Sequence, residues 1–490
     1  MKRFLTIAIV LTLLAVSNQT AYADIAVNKN FKTAVSFQNA DSATAQIKIL
    51  YYPDSGANPT QYVYGNLAPN ASAFVMADTI GVPVSGKGAF VVVSDKHVVA
   101  TTLQIPETGG SAPLVKNRPA SNGFSDSNVW NSVPFNILLA TVLKATFNTT
   151  SRFQVQNVDV DPVTIVVTFK PIPGGGTATT ATRANVLPGA SVVFDMATIS
   201  ELSSQATFNG SATIHAENAL AQTRRIVATS VEYSTNSTPV YAFESVPDYE
   251  TQSIIYMPSA LCNYPTAATP QSTFYGIQNT SSSLYANVTV GYYDLNGTLV
   301  GQQSNSIAPS DKWSHSTCST TGLPANFSGS AVIQSSNSVF LAAVGKVTGS
   351  GVSSGFMAQA TGSSTLYLPY QRYASDTNWL NGTRHRTFNA IQNIGGSLLA
   401  NAICTTFYDA AGVQAGSQVC NSTVLNQYQK YNPHPSSAGL TNDWGYGASE
   451  YGSAVVRCPT CSSNQLISVT RVTSYIDAST AAAEDYVGLK

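Results

Sequence analysis

The chain reads as an all-β protein, four tandem antiparallel β-sandwich modules behind a signal peptide, and two observations lead there. One word recurs four times: Phe37-Gln38-Asn39, Val155-Gln156-Asn157, Ile277-Gln278-Asn279 and Ile391-Gln392-Asn393, with the closing Asn returning after 118, 122 and 114 residues. A period of that length is a whole domain. Each copy is followed by runs that alternate apolar and polar residues in steps of two, the pattern of half-buried strands.

The leader comes first. Lys2-Arg3, an apolar run from Phe4 to Val16 and the small-residue motif Ala21-Tyr22-Ala23 predict a signal peptide over residues 1–23, cleaved after Ala23. Its apolar run is short for a membrane span, and no later stretch approaches the ~20 apolar residues a bilayer helix needs. The expected location is therefore secreted or cell surface, without membrane insertion. Losing Lys2 and Arg3 takes the formal net charge from -1 to -3. Nucleic acid and anionic membranes are excluded as partners, since both require clustered Lys and Arg. Only 10% of residues are charged, against roughly 25% in ordinary soluble proteins, so Ser, Thr, Asn, Gln and Gly must supply the polar surface.

Within a module the repeated word is a strand whose Phe, Val or Ile faces inward and whose Gln faces outward, and its Asn starts a turn through a side chain–backbone bond. A second strand follows at 45–52, 163–169, 286–293 and 402–408. It breaks at Asp54-Ser55-Gly56, at Asp294 to Gly297 and at Asp409 to Gly412, where Asp bonds the backbone ahead and Gly accepts positive φ. Module two substitutes Pro171 to Gly176. A Pro turn comes next at Pro69-Asn70, Pro188-Gly189 and Pro309-Ser310, and is missing from module four. Then Gly86-Lys87-Gly88-Ala89, Gly210-Ser211-Ala212, Gly329-Ser330-Ala331 and Gly452-Ser453-Ala454 each lead into another strand, and a final hairpin closes the unit.

New modules open at Tyr256-Met257-Pro258, Tyr367-Leu368-Pro369 and, more weakly, Ser132-Val133-Pro134; module one lacks the leading Tyr. About seven short strands per module indicate an immunoglobulin-like sandwich, with the strand order left open. The expected boundaries are 24–115, 116–248, 249–362 and 363–490.

All six cysteines lie in the second half, and an even number behind a leader favours disulfides. The expected pairs are Cys262–Cys318, Cys404–Cys420 and Cys458–Cys461. The alternative, a zinc site from the last four, has one CxxC and an oxidising compartment against it, so no metal and no cofactor are expected.

Chemistry is sparse. Gly351-Val352-Ser353-Ser354-Gly355 matches the Gly-x-Ser-x-Gly elbow of serine hydrolases but lies in a β hairpin rather than between strand and helix. The five histidines, His97, His215, His315, His385 and His434, never fall at ligand spacing. No catalytic residues are assigned. One loop stands out, an insertion within Asn426 to Tyr451 that carries Tyr428, Tyr431, Trp444, Tyr446 and Tyr451 among amides. Such aromatics suit stacking on a sugar or peptide; equally, a long loop packs its own aromatics to stay ordered. Tyr373 and Trp379 could join either arrangement.

The aromatic-x-Ile-Gln-Asn strand, the Tyr-Asp turn and the Gly-Ser-Ala strand resemble those of uncharacterised exported bacterial proteins with tandem immunoglobulin-like β-sandwich modules. That resemblance implies a cell-surface or extracellular role in structure or adhesion and carries over no functional residues. The first expectation is accordingly a non-enzymatic surface or extracellular-matrix protein, a semi-rigid rod of sandwiches on short joints, self-associating through weakly charged edge strands. The second is a secreted carbohydrate- or ligand-binding protein using the module-four insertion. The partners expected are a second copy of the chain or a cell-surface glycan.

Overall fold

The computed structural model describes residues 20–25, 31–54, 58–83, 86–106, 118–125, 135–234, 240–265, 270–349, 352–380, 384–441, 443–446, 452–477 and 480–490. Residues 1–19 of the expected leader, Ser132-Val133-Pro134, Ser55-Gly56 and Tyr451 lie outside them. The fold is all-β: eight antiparallel sheets form four sandwiches.

Module one holds β1 (Thr20–Ile25), β2 (Phe31–Asn39), β3 (Ala45–Pro53), β4 (Thr60–Leu67), β5 (Ser72–Met76), β6 (Gly88–Ser94), β7 (Val98–Pro106), β8 (Ala120–Asn122) and β9 (Phe124–Ser125). Module two holds β10 (Ile137–Lys144), β11 (Thr150–Asn157), β12 (Val163–Pro171), β13 (Thr179–Val186), β14 (Ser191–Asp195), β15 (Phe208–Glu217), β16 (Ile226–Tyr233), β17 (Val240–Glu244) and β18 (Val246–Pro247). Module three holds β19 (Ile254–Cys262), β20 (Ser272–Asn279), β21 (Ala286–Tyr293), β22 (Leu299–Ile307), β23 (Lys312–Ser316), β24 (Phe327–Ser335), β25 (Leu341–Gly349) and β26 (Val352–Met357). Module four holds β27 (Thr365–Gln371), β28 (Arg386–Asn393), β29 (Cys404–Tyr408), β30 (Gln414–Cys420), β31 (Lys430–Tyr431), β32 (Gly452–Arg457), β33 (Leu466–Asp477) and β34 (Thr480–Val487).

One topology repeats. Counting strands from the start of each module, an outer sheet runs 4-3-6-1 and an inner sheet 5-2-7-8, as in β13-β12-β15-β10 and β14-β11-β16-β17. Strands one and two lie in opposite sheets, whereas immunoglobulin domains place A beside B's sheet partners in ABED. The sandwich architecture stands, with a strand order of its own.

Two boundaries are refined by the pairing. Module one extends past residue 115, because its eighth strand, β8, pairs with β7 at Thr101, Thr102 and Leu103. It also begins earlier: β1 pairs with β6 from Thr20 opposite Val93 to Ile25 opposite Gly88. Tyr22 stands opposite Val91 as Tyr256 stands opposite Val332 and Tyr367 opposite Val455. The opening Tyr that module one lacked by sequence is thus Tyr22, inside the expected cleavage motif, and a cut after Ala23 would remove most of β1.

The repeated word is structural. Phe37, Val155, Ile277 and Ile391 are fully buried in their own cores. Asn39 Nδ2 donates to Ala43 O and Leu67 O while its Oδ1 accepts from Asp41 N; Asn157, Asn279 and Asn393 repeat this clamp. The hairpin turns at Asp294 and Asp409 form as expected, each Asp Oδ1 accepting two backbone N–H groups. The cysteines pair as expected, with Sγ–Sγ separations of 2.17, 1.97 and 2.00 Å.

The modules close on one another, which corrects the rod. Ser211 Oγ donates to Ser310 O at 3.0 Å, Ser330 Oγ to Tyr428 O at 3.0 Å and Ser453 Oγ to Asn70 O at 2.9 Å. Each bond runs from a Gly-Ser-Ala marker to the left-handed turn residue of the next module, and the third returns from module four to module one. Asn70, Ser310 and Tyr428 have φ of 61, 57 and 64°, so the Pro turn absent from module four by sequence is present as Tyr428. Module one carries Ala89 in place of the Ser, and there Tyr52 packs on Gly189 instead. At Gly189 φ is 77°, and a Cβ would meet the Tyr52 ring at 2.3 Å.

Strand eight of each module lies at the centre, β8 against β17, β17 against β26, β26 against β34 and β34 against β8. The rod fails because the outward faces of the inner sheets are covered by other modules, as where Ser36 donates to Pro369 O and Gln154 to Gly88 O. Gln38, Gln156, Gln278 and Gln392 do leave their own cores, yet all are at most 1% exposed; Gln38, Gln156 and Gln392 donate to the left-handed turn residues Asn70, Gly189 and Tyr428 of their own modules, the turns on which the neighbouring modules close.

Candidate functional site

Strand eight delivers one residue from each module to a common point. In register with strand seven, Asn122 stands opposite Thr101, Glu244 opposite Thr229, Met357 opposite Val344 and Val487 opposite Val469. These four equivalent positions line one cavity of about 610 Å³. Its wall continues through His97, Tyr249, Glu250, Gln359 and Lys490, and it meets solvent past the exposed Tyr249, Glu250 and Lys490.

The floor is polar on one side and apolar on the other. Asn122 N and Nδ2 donate to the Glu244 carboxylate at 3.3 and 3.4 Å, and Nδ2 also donates to Val487 O at 3.2 Å. Burial lifts the Glu244 carboxyl to about 7; the Asn122 bonds oppose the rise and the negative charge of Glu250 adds to it. Desolvation by the cavity wall raises the Glu250 carboxyl although the residue reaches solvent, against the pull of Lys490. Lys490 is lowered by burial, against Glu250, and its Nζ donates to Thr361 O at 2.7 Å and to Thr361 Oγ1 at 2.6 Å. Burial lowers His97, against the pull of Asp41. Gln359 Nε2 donates to Ser468 O at 2.9 Å. Asn122 Oδ1 and Gln359 Oε1 remain buried without a hydrogen-bond partner.

Tyr428, Tyr431, Trp444 and Tyr446, expected to bind ligand, lie away from this cavity; Trp444 O accepts from Tyr373 N at 3.0 Å. Tyr428 packs between modules, its ring 4.5 Å from that of Tyr293 and 6.2 Å from that of Tyr256. Tyr431 donates to Val419 O at 2.6 Å, and Trp444 lies edge-on to Phe407 against the module-four core. Tyr446 donates to His385 O at 2.8 Å and lies beneath Arg372 and Arg384. Tyr373 and Trp379 flank Arg386.

Other reactive groups are engaged in structure. Ser353, in the Gly-x-Ser-x-Gly match, is fully buried, accepting from Val240 N at 2.7 Å and donating to Val240 O at 2.9 Å. Ser354 donates to Asp485 Oδ2 at 2.8 Å. Between modules two and three, Lys312 and Lys346 each donate to Thr141 Oγ1 at 3.2 Å, and Lys346 pairs with Glu232 at 2.5 Å. Burial drives Lys312 down to about 7, and the positive charge of Lys346 adds to the fall. Among the described residues no group of three or more His, Cys, Asp or Glu is placed to hold a metal, and no helix is long and apolar enough to cross a membrane.

Sequence reasoning missed the cleft residues because each lies about 120 residues from its equivalents. The available signal was Glu244, an acid ending the otherwise uncharged strand Val240-Tyr241-Ala242-Phe243.

No family model and no curated protein matches the sequence. Among solved structures, one titled "Crystal Structure of Thermotoga maritima 1070" aligns over 22% of this chain and 94% of its own at 15% identity, with a TM-score of 0.19. A likeness that small carries no argument.

Proposed function

We propose that this is an exported, non-enzymatic binding protein whose four sandwiches close to build one ligand cleft. The observation that carries this reading is the meeting of four equivalent strand-eight residues, one per module, in a single cavity. Its volume falls within the roughly 300–1,000 Å³ of small-molecule sites. The leader-like N-terminus and three disulfides support export. The buried Ser353, Ser354 and Lys346 have structural partners, which supports a binding role over hydrolysis. The test is a thermal-shift screen of glycans and small metabolites against the protein and a Met357→Trp variant that fills the floor. A ligand that stabilises the first and not the second is expected. Turnover of an ester, peptide or glycoside that is lost in Glu244→Gln would overturn the non-enzymatic reading.

A second reading, self-association, is favoured by the outer edges. β4, β22 and β30 carry no charged residue, so little in their sequences opposes edge-to-edge pairing. In that reading the closed particle is the unit of a surface layer.

A further inference from the structure

We propose that the exported chain is cut after Ser17, at a second small-residue motif, Ala15-Val16-Ser17, and that it keeps β1 as the strand closing module one onto module two. This rests on the export half of the reading above. Two motifs near the N-terminus offer small residues at the two positions a leader peptidase reads, Ala15-Val16-Ser17 and the expected Ala21-Tyr22-Ala23. The apolar run ahead of the first, Phe4 to Leu14, falls within the roughly 7–15 residues of a leader. A cut after Ala23 leaves Asp24 first, inside β1, whereas a cut after Ser17 leaves Asn18 first, two residues ahead of it.

The sheets separate the two sites, because strand one has the same place in all four modules. β1, β10, β19 and β27 each pair antiparallel with strand six. On its other side each meets the segment leaving strand eight: Tyr22 opposite Phe124, Leu138 opposite Val246, Tyr256 opposite Gln359 and Tyr367 opposite Leu489. Strand one is also where a module touches the next, β1 on β11 and β16, β10 on β20 and β25, β19 on β28 and β33, β27 on β2 and β7. Removing Thr20 to Ala23 takes four of the six residues of β1 and opens a slot between β6 and β9. The backbone groups of β6 that β1 satisfies would need new partners. Gly88 to Ser94, a strand without a charged residue, would become an edge open to pairing with other chains. That strand also holds the junction, since Gly88 O accepts from Gln154 Nε2 at 2.9 Å and Val91 packs in the module-two core. A cut after Ala23 would leave module one without the closing strand that the other three keep.

The test is intact mass and N-terminal sequencing of the protein exported from the full chain. Asn18 is the expected first residue; Ser17→Leu should stop that cut, and Ala23→Val should leave it unchanged. Asp24 or Met1 as the first residue of the exported protein overturns the proposal and leaves export standing. Protein retained inside the cell overturns export itself. The closing role is read separately, on chains placed behind a foreign leader so that they begin at Asn18 or at Asp24. The shorter one is expected to melt at a lower temperature and to sediment as larger species. Equal melting and equal sedimentation would make β1 dispensable and overturn the structural ground of the proposal.

Discussion

The outer and inner sheets of each module share one alternation of apolar and polar residues and end in different surroundings. Along β3 buried residues alternate with exposed ones, and β22 and β30 leave most side chains in water. Along β11, β16 and β28 nearly every residue is buried, on both faces. Period-two patterning reports which residues avoid their own core. It is silent on what covers the other face. Ser36 donates to Pro369 O and Gln154 to Gly88 O, each an inner-sheet polar group satisfied by another module. A face made of Ser, Thr and Gln can be buried this way because each side chain finds a backbone carbonyl across the contact, whereas a face of Lys and Glu would have to be desolvated. The low charge content of the chain follows in part from that.

The comparison is tested most severely at Glu232. It is the buried acid of the inner-sheet cluster that holds Lys346, with Lys312 beside it. Glu232→Ala leaves buried cations without their counter-ion and is expected to cost about 3–5 kcal/mol in denaturant unfolding. Glu201→Ala breaks the pair with Arg183 of β13, whose side chains are 23 and 34% exposed, and is expected to cost less than about 1 kcal/mol. Equal losses would erase the distinction between the sheets.

A pH-dependent difference comes from Lys312 and Lys430, both on strand five of an inner sheet. Burial takes each from 10.5 to about 7. Between pH 7 and 10.5 the unfolded chain therefore holds more protons than the folded one, and stability rises with pH, by up to about 1.4 kcal/mol per unit for each lysine. Melting temperature should climb from pH 7 to pH 9, and Lys312→Met should raise it at pH 7 and flatten the climb. Glu244 acts in the opposite sense. Its carboxyl is raised from 4.5 to about 7, so its contribution is present below 4.5 and lost as pH rises to 7. Glu244→Gln should stabilise the protein at pH 8 more than at pH 5, the expected signature of a group kept for binding at the expense of folding.

How far the sequence could be read follows from the same division. The four modules, the Asn clamp, the Asp hairpins and the three disulfides were legible because each is local to one module and obeys a spacing rule. The first strand of module one was hidden by its overlap with the expected leader, whose Ala21-Tyr22-Ala23 fits a cleavage motif and a strand register together. The Pro turn of module four was hidden because Tyr428 adopts positive φ where Asn70 and Gly189 do so more readily. Closure joins residues far apart in the chain, and nothing in the spacing of Ser453 and Asn70 announces a bond across 383 residues. The cleft inherits that illegibility, since its floor exists only once four modules have met.

The smallest expected effect lies at the outer edges, where the sheets face water. Gln61, Asn305 and Ser417 are exposed on β4, β22 and β30, and their edges carry no charge. Replacing all three by Lys adds positive charge to each strand rim without touching a core, so stability should change by no more than about 0.5 kcal/mol per site. Any self-association should fall, because one Lys on a rim repels its copy on an approaching rim and desolvating it against a partner strand is costly. Sedimentation velocity across a range of concentrations, beside a melting curve, separates the two quantities. Oligomers that disappear with the melting temperature preserved assign association to the outer edges. Oligomers that persist place it on another surface, and the outer sheets are then left as the solvated shell of the closed particle.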